Sequence, residues 1–179
     1  MKLAVLAAAA VLAPSVAAAP PRPPQVVAVS VGPADTAKGF VVGPRRVVTV
    51  AHVLNGSGDV LVDGRRATVV RRDDRLDLAV LAVPGVDAEP LRVVAGATRV
   101  VVGGRPARVV HRALARVDGS SWRRPVLELR ARVAFGESGS PVVTPGGRLV
   151  GVVFARSRAR PGVAYAVDLE GAGERQLLH

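Results

Sequence analysis

The sequence predicts an all-β protein, built as a sandwich or from barrels. Short valine-rich runs recur along the chain, separated by glycine or proline turns at roughly 8–12-residue spacing, which is typical of such folds. Aromatic residues make up only 3% of the chain. Small and branched side chains suit the interior of thin β-barrels. A length of 179 residues allows one full core or two small abutting ones.

Two turn signals organise the first half of the chain. Gly43-Pro44 separates one pair of apolar runs, and Asp63-Gly64 separates another, which is a strong signal for a two-residue hairpin. Residues 84–90 follow as a connection without a strand pattern. The strands predicted for this half are 26–31, 39–42, 47–50, 60–62, 67–70 and 78–83.

The second half repeats the pattern of short apolar runs, but no internal sequence repeat is detectable. The end of the chain is predicted to form a turn or a short helix. The strands predicted for this half are 99–102, 107–117, 126–133, 142–143, 149–154 and 163–167.

Residues 1–18 have the pattern of a signal peptide. A positive start at Lys2 precedes an apolar stretch, and small residues up to Ala18 suit cleavage by signal peptidase. The stretch is too short to predict a membrane span, although its retention as an anchor stays open. The proline-rich residues 19–25 predict a stiff tether. We therefore expect an exported protein, secreted or held in the periplasm or cell envelope, without a transmembrane helix in the mature chain.

The chain carries a net charge of +11 and contains no cysteine, so an exported form would be stable without disulfides. The arginine excess suits an anionic cell-envelope polymer or lipid as a partner, or it reflects solvated strand faces. The arginine pairs are scattered with little aromatic interleaving and match no nucleic-acid module, so no nucleic-acid partner is expected. Three dispersed histidines predict no metal site. No cofactor is predicted.

One glycine-flanked serine carries the strongest functional signal. Ser138 lies in the stretch Gly136-Glu137-Ser138-Gly139-Ser140-Pro141. A serine hydroxyl is a weak nucleophile without a base and an orienting carboxylate. His52 ends an apolar run upstream, and Asp77 opens another. The order His, Asp, Ser is that of the chymotrypsin-type triad.

With these motifs, the chain resembles the trypsin-like serine proteases of the chymotrypsin fold. Within that family it is most similar to bacterial HtrA-like enzymes and to actinobacterial periplasmic acid-resistance serine proteases. The resemblance implies two antiparallel six-stranded β-barrels with the active site at their interface. Residues 26–90 would form the barrel with His52 and Asp77, and residues 91–179 the barrel with Ser138. The matching segments are Thr49–His52, Asp77–Leu81, Gly136–Pro141 and Gly147–Phe154.

The resemblance also implies a role for each site residue. Ser138 would be the nucleophile, His52 the general base and Asp77 the group that orients the imidazole. The N–H groups of Gly136 and Ser138 would form the oxyanion hole. The implied function is an exported serine endopeptidase that forms an acyl-enzyme with protein or peptide substrates and acts as a monomer. By analogy, the substrate pocket would be walled by Arg132, Val133, Phe135, Phe154, Ala155 and Arg156.

There are several alternatives to this assignment. Asp73 and Asp74 lie close to Asp77, but neither directly precedes the apolar strand. An α/β-hydrolase would need glycine where Ser140 stands. Glu137 departs from the aspartate or asparagine usual in the family, and we expect it to pair with a nearby arginine. A catalytically idle protease-fold protein that binds peptides or anionic envelope polymers remains the alternative function.

Overall fold

A computed structural model of the protein describes residues 25–32, 35–89, 92–116 and 121–172. Within these ranges the chain folds into two antiparallel β-sheets, each formed by one half of the sequence. The predicted signal peptide at 1–18 and all of the tether except Gln25 lie outside the described residues. No helix in the described ranges has both the length and the apolar character needed to cross a membrane.

The first sheet has seven strands in the order β5-β4-β1-β2-β3-β7-β6. The Asp63-Gly64 hairpin is confirmed, because both residues have positive φ values (46° and 76°) and the strands on either side pair at Val62 and Arg65. The strands are β1 (Val26–Val31), β2 (Asp35–Gly43), β3 (Arg46–Val50), β4 (Val60–Val62), β5 (Arg65–Arg66), β6 (Thr68–Asp73) and β7 (Leu78–Ala82).

This first sheet differs in detail from the expected six-stranded barrel. The strand predicted at 67–70 is found at Thr68–Asp73. Ala67, its predicted first residue, lies between β5 and β6, and its N–H donates to the carbonyl of Val60 at 2.8 Å. β5 and β6 lie at opposite edges of the sheet although they are consecutive in the chain. The sheet is therefore curled toward closure, and the two edges are joined through one bent segment.

The second half forms a closed barrel in the order β10-β13-β12-β11-β8-β9, so the all-β class is confirmed. Some predicted strand bounds were wrong by three or four residues. The strand expected to begin at 39 begins at Asp35. The strand expected at 126–133 spans Arg123–Arg130, and the next N–H, of Ala131, donates to Gly162 in a loop. The elements are β8 (Arg99–Val102), β9 (Arg105–Arg116), β10 (Arg123–Arg130), β11 (Pro141–Val143), β12 (Leu149–Arg156), β13 (Val163–Asp168) and the short helix α1 (Leu169–Ala172).

A shared hydrophobic cluster packs the two halves against each other. It combines Phe40, Val50 and Leu78 of the first sheet with Leu149 and Val152 of the second, all fully buried. A second hydrophobic cluster fills the interior of the C-terminal half, and a third fills the interior of the N-terminal half. The connection between the halves runs from Ala82 to Arg99 and contains the boundary predicted at residue 90. The interface is therefore a packed apolar seam, and polar residues along its rim can be held in fixed positions.

Candidate active site

His52 is placed at the seam by the end of a buried strand. Val50 closes β3 and is completely buried, and a 3-10 helix, Ala51–Asn55, begins directly after it. The small, buried Ala51 anchors the first residue of this turn. The His52 side chain follows and is 45% exposed. The apolar run thus fixes the backbone while leaving the imidazole accessible.

Asp77 lies in the turn between β6 and β7 and has a left-handed backbone, with φ = 60°. A non-glycine residue adopts this conformation only when its surroundings hold it there. Its carbonyl accepts a hydrogen bond from the N–H of Ala51 at 3.1 Å. Its Oδ1 accepts another from the N–H of His52 at 2.8 Å. Hydrogen bonds from backbone N–H groups therefore hold the turn of His52 against the turn of Asp77.

The side chains of these two residues are also paired. His52 Nδ1 lies 2.8 Å from Asp77 Oδ2. Because the carboxylate can only accept, Nδ1 carries the hydrogen of the neutral imidazole and Nε2 is left as its basic nitrogen. Of the three candidate carboxylates, Asp77 is the one in contact with His52. Asp73 instead accepts from the backbone of Arg75 and Leu76.

Ser138 lies in a turn that is paired with β12. The N–H of Gly139 donates to Val153 O at 2.7 Å, and Val153 N–H donates to Ser140 O at 2.9 Å. The Ser138 hydroxyl donates to the carbonyl of Phe154 at 3.5 Å, near the limit of hydrogen-bond length. Among the described residues it has no hydrogen bond to His52. Catalytic contacts of this kind are often long in ligand-free proteins and shorten when substrate binds.

The turn before Ser138 presents two unused donors. Gly136 has φ = 82°, a conformation that glycine adopts without a steric penalty. Within the described part of the chain, no hydrogen bond engages the N–H of Gly136 or of Ser138. Among the described residues Glu137 forms no ion pair with an arginine, contrary to expectation, and its Oε2 accepts the N–H of Ala134 at 2.8 Å. Glu137 thus orders the loop through the backbone.

His52 and Ser138 open onto the same cavity of about 470 Å³, and none of the described residues that line it carries a carboxylate. Arg132, which we expected in the substrate pocket, does not line this cavity. Asp77 and Phe154 instead line an adjacent cavity of about 370 Å³, which shares His52 and Ala155 with the first. The first cavity is lined by Ala37, His52, Val53, Val133, Ala134, Phe135, Gly136, Ser138, Val153, Ala155, Arg156 and Arg158.

Comparison with known proteins decides the family. The family model described as "Trypsin-like peptidase domain" matches residues 37–152, which include His52, Asp77 and Ser138. The chain belongs to the trypsin-like peptidase family. The resemblance inferred from the motifs is therefore confirmed, and the two-sheet arrangement is the one that its members share.

One named relative and its crystal structure place the chain within the trypsin-like peptidases. It is 38% identical over 140 residues to "Serine protease Rv3671c" of Mycobacterium tuberculosis, an alignment covering 65% of this chain and 35% of that protein. The chain thus spans about a third of the length of the curated relatives it matches. The crystal structure of the active form of the Rv3671c protease superposes with a TM-score of 0.73 at 28% identity, covering 94% of each chain.

A second solved structure has a similar fold. The HtrA-type protease AlgW with a tripeptide superposes with a TM-score of 0.69 at 19% identity, covering 87% of this chain and 60% of that one. At this identity the likeness shows a shared fold alone.

In this trypsin-like site, a loop after β12 is fixed by a charged cluster. Arg160 donates to both carboxylate oxygens of Glu128 at 2.9 Å and to the hydroxyl of Tyr165 at 2.6 Å. These hydrogen bonds lower the pKa of Glu128 and raise the pKa of Arg160. The ring of Tyr165 stacks on Phe154, with centroids 6.4 Å apart. The cluster thus connects the loop to the strand behind Ser138.

Sequence reasoning missed three residues that support the site. Thr49 is completely buried, and its hydroxyl donates to Lys38 O at 2.7 Å. Arg158 lines the first cavity, and Arg124 lines the second. Thr49 could have been singled out, because it opens the segment that carries His52. Nothing in the local sequence distinguishes Arg124 or Arg158 from the many surface arginines. No group of three metal-binding side chains occurs among the described residues.

Proposed function

We propose that this protein is an exported serine endopeptidase that hydrolyses peptide bonds through His52, Asp77 and Ser138. One observation carries the proposal. The imidazole of His52 is held by the Asp77 carboxylate at 2.8 Å and lines one cavity with Ser138 and Gly136. The trypsin-like family and the named serine proteases among its relatives support this reading.

The chemistry follows the roles of these three side chains. Ser138 Oγ attacks the carbonyl carbon of the substrate while His52 Nε2 takes its proton. The negative oxygen of the tetrahedral intermediate then accepts hydrogen bonds from the N–H groups of Gly136 and Ser138. His52 returns the proton to the leaving amine, and the acyl group remains on Ser138 as an ester.

Hydrolysis of the ester completes the cycle. Water attacks the acyl carbon, and its proton passes to His52 Nε2. The second tetrahedral intermediate collapses, Ser138 recovers its proton, and the carboxylic acid product leaves. Before the first attack, the Ser138 hydroxyl must turn from the carbonyl of Phe154, where it lies at 3.5 Å, toward His52. A contact of that length is weak, so the rotation costs little.

The proposal is tested with purified protein and a fluorogenic peptide library or casein. We expect cleavage by the wild type and no cleavage above background by Ser138→Ala or His52→Ala. Ser140→Ala is the matched control, because Ser140 is buried two residues away and its known contacts use the backbone. Equal cleavage by wild type and Ser138→Ala would refute the proposal.

One observation favours the idle peptide-binding protein as a second candidate. The Ser138 hydroxyl lies on the Phe154 carbonyl and makes no hydrogen bond to His52 among the described residues. A binder would retain peptides in the 470 Å³ cavity without turnover. Saturable binding of library peptides with no product after prolonged incubation would favour this candidate over the enzyme.

Export and the remaining partners are proposed from the sequence. The pattern of residues 1–18 supports secretion or delivery to the periplasm or cell envelope. N-terminal sequencing of the protein from an expressing bacterium tests this, with a start near residue 19 expected. The net charge of +11 supports an anionic envelope polymer as a further partner, and salt-sensitive co-sedimentation with such a polymer would test it. Sedimentation equilibrium tests the proposed monomer.

A further inference from the structure

Arg124 is a buried arginine that crosses the seam between the two halves. It belongs to β10 of the second sheet, and only 8% of its side chain is exposed. Its neighbour Arg123, on the opposite face of the strand, is exposed. Burying a guanidinium costs several kcal/mol unless charge and hydrogen bonding compensate. The position therefore calls for an explanation beyond surface charge.

The contacts of Arg124 are made with the segment that carries Asp77. Its Nη1 lies 3.4 Å from Asp77 Oδ2 and 3.3 Å from the carbonyl oxygen of Leu76. Its guanidinium carbon lies 5.4 Å from the ring centroid of Phe154, within the range of a cation–π contact. Its buried Nε has no hydrogen-bond partner in the part of the chain that the structure describes. An arginine retained for stability alone would be expected to satisfy this group.

The acceptor that Arg124 approaches is the oxygen that holds the imidazole. Asp77 Oδ2 lies 2.8 Å from His52 Nδ1 and 3.4 Å from Arg124 Nη1. The guanidinium is always protonated, so it attracts the Asp77 carboxylate and restricts the positions that this carboxylate can take.

The other charged groups around this cavity balance each other. Arg72 and Asp74, which line it with His52 and Asp77, form an ion pair at 2.7 Å. The two arginines and two aspartates that line this cavity sum to zero net charge. Arg156 and Arg158 line the larger cavity with His52 and add two further positive charges on that side. Arg124 is the cation of the group that contacts Asp77 directly and is shielded from water.

We propose that Arg124 is a positioning residue that holds Asp77 across the seam, so that the Asp77 carboxylate stays on His52 Nδ1. Arg124 contacts both this carboxylate and the peptide carbonyl that precedes Asp77, whose backbone is left-handed. The inference rests on the proposed function for its meaning. Its physical content, the hydrogen bond between His52 Nδ1 and Asp77, is measurable without turnover.

The test is the proton NMR signal of the His52 Nδ1–H, assigned by its loss in His52→Gln. We expect a sharp signal protected from solvent exchange in the wild type and a broadened or lost signal in Arg124→Met, because the Asp77 carboxylate is no longer held on Nδ1. Arg124→Lys keeps the charge and should retain the signal. Arg123→Met removes the same charge from the exposed face of the same strand and should leave the signal unchanged.

Activity provides a second readout. In Arg124→Met kcat should fall by about tenfold while KM changes little, and Arg124→Lys should restore most of this loss. If methionine prevents folding, Arg124→Gln carries the test. An unchanged Nδ1–H signal in a folded neutral variant would overturn the inference. Loss of the signal in the neutral variant of a protein that cleaves nothing would uphold the inference while the proposed enzyme failed.

Discussion

The N–H of Lys38 donates a hydrogen bond to the carbonyl oxygen of Ser138 at 2.7 Å, which ties β2 of the first sheet to the serine turn of the second. The carbonyl oxygen of Lys38 accepts a hydrogen bond from the Thr49 hydroxyl at 2.7 Å. Since Thr49 lies three residues before His52, this one peptide segment links the turn of the proposed nucleophile to the strand of the proposed base. The relative placement of the two side chains thus depends on backbone contacts across the seam.

At Gly139 the contact between the two halves leaves no room for a side chain. It has φ = 89°, and a Cβ there would overlap the carbonyl of Lys38 and come within 2.8 Å of Thr49 Oγ1. Gly139→Ala should lower the free energy of unfolding by about 2–4 kcal/mol, through backbone strain and overpacking. Chemical denaturation measures this. Gly146→Ala is the control, because its Cβ would meet only Thr144 Oγ1 at 3.8 Å, and a loss of equal size there would contradict the account.

The hydroxyl of Thr49 should contribute more to stability and activity than the volume of its side chain does. Thr49→Val keeps the shape but leaves the carbonyl of Lys38 without this donor, at a cost of about 1–2 kcal/mol. Thr49→Ser keeps the hydroxyl and should restore most of the rate of peptide cleavage lost in the valine variant. Thermal unfolding and kcat/KM are measured together. A valine variant indistinguishable from the wild type in both would show that the hydrogen bond is dispensable.

Local sequence signals were sufficient for the strands, the Asp63-Gly64 hairpin and the contact of His52 with Asp77. These features depend on residues close together in the chain, or on a motif order that the whole family shares. The choice of Asp77 over Asp73 followed from the apolar strand after it, and in the structure only Asp77 of the two contacts His52. The catalytic roles themselves stay predictions.

The features that sequence reasoning missed arise from contacts between distant segments. The bend at Ala67 is set by its bond to Val60, and the end of β10 by the bond between Ala131 and Gly162. Arg124 carries no local signal, because its burial depends on packing against Leu76 and Phe154. Glu137 was expected to find an arginine, but a backbone N–H three residues earlier was closer.

Asp77→Asn should keep the fold and reduce kcat by roughly 10⁴, because the amide favours the wrong imidazole tautomer, as it does in a chymotrypsin-type triad. Asp74→Asn should be mild, since Asp74 contacts the partly exposed Arg72 rather than His52. Asp73→Asn keeps an acceptor oxygen for the turn and should also be mild. Steady-state kinetics on one peptide substrate compare the three. Similar losses in all of them would mean that the segment acts only structurally.

The Glu128–Arg160 pair predicts a pH-dependent contribution to stability. Because hydrogen bonds from Arg160 lower the pKa of Glu128 in the folded state, its contribution is present above the unfolded value of 4.5 and is lost as pH falls through the lower folded value. The contribution is small, since the pair is largely exposed. Glu128→Gln should therefore lower the thermal midpoint at pH 7 and converge with wild type in acid.

Glu89→Gln is the control for that pH dependence, because Glu89 is exposed and has no recorded ion pair among the described residues. Its thermal midpoint should follow the wild type at every pH. A Glu128→Gln difference that grew on acidification would contradict the stated direction of the pKa shift.

The central claim, that Ser138 is a nucleophile activated by His52 and Asp77, is tested most directly by covalent labelling with a fluorophosphonate followed by peptide mapping. The account predicts a single modified residue, Ser138, with labelling abolished in Ser138→Ala, strongly reduced in His52→Ala and retained in Ser140→Ala. Labelling should become slower as His52 is protonated at low pH. Folded protein that remains unlabelled, or that is labelled equally in Ser138→Ala, would contradict it.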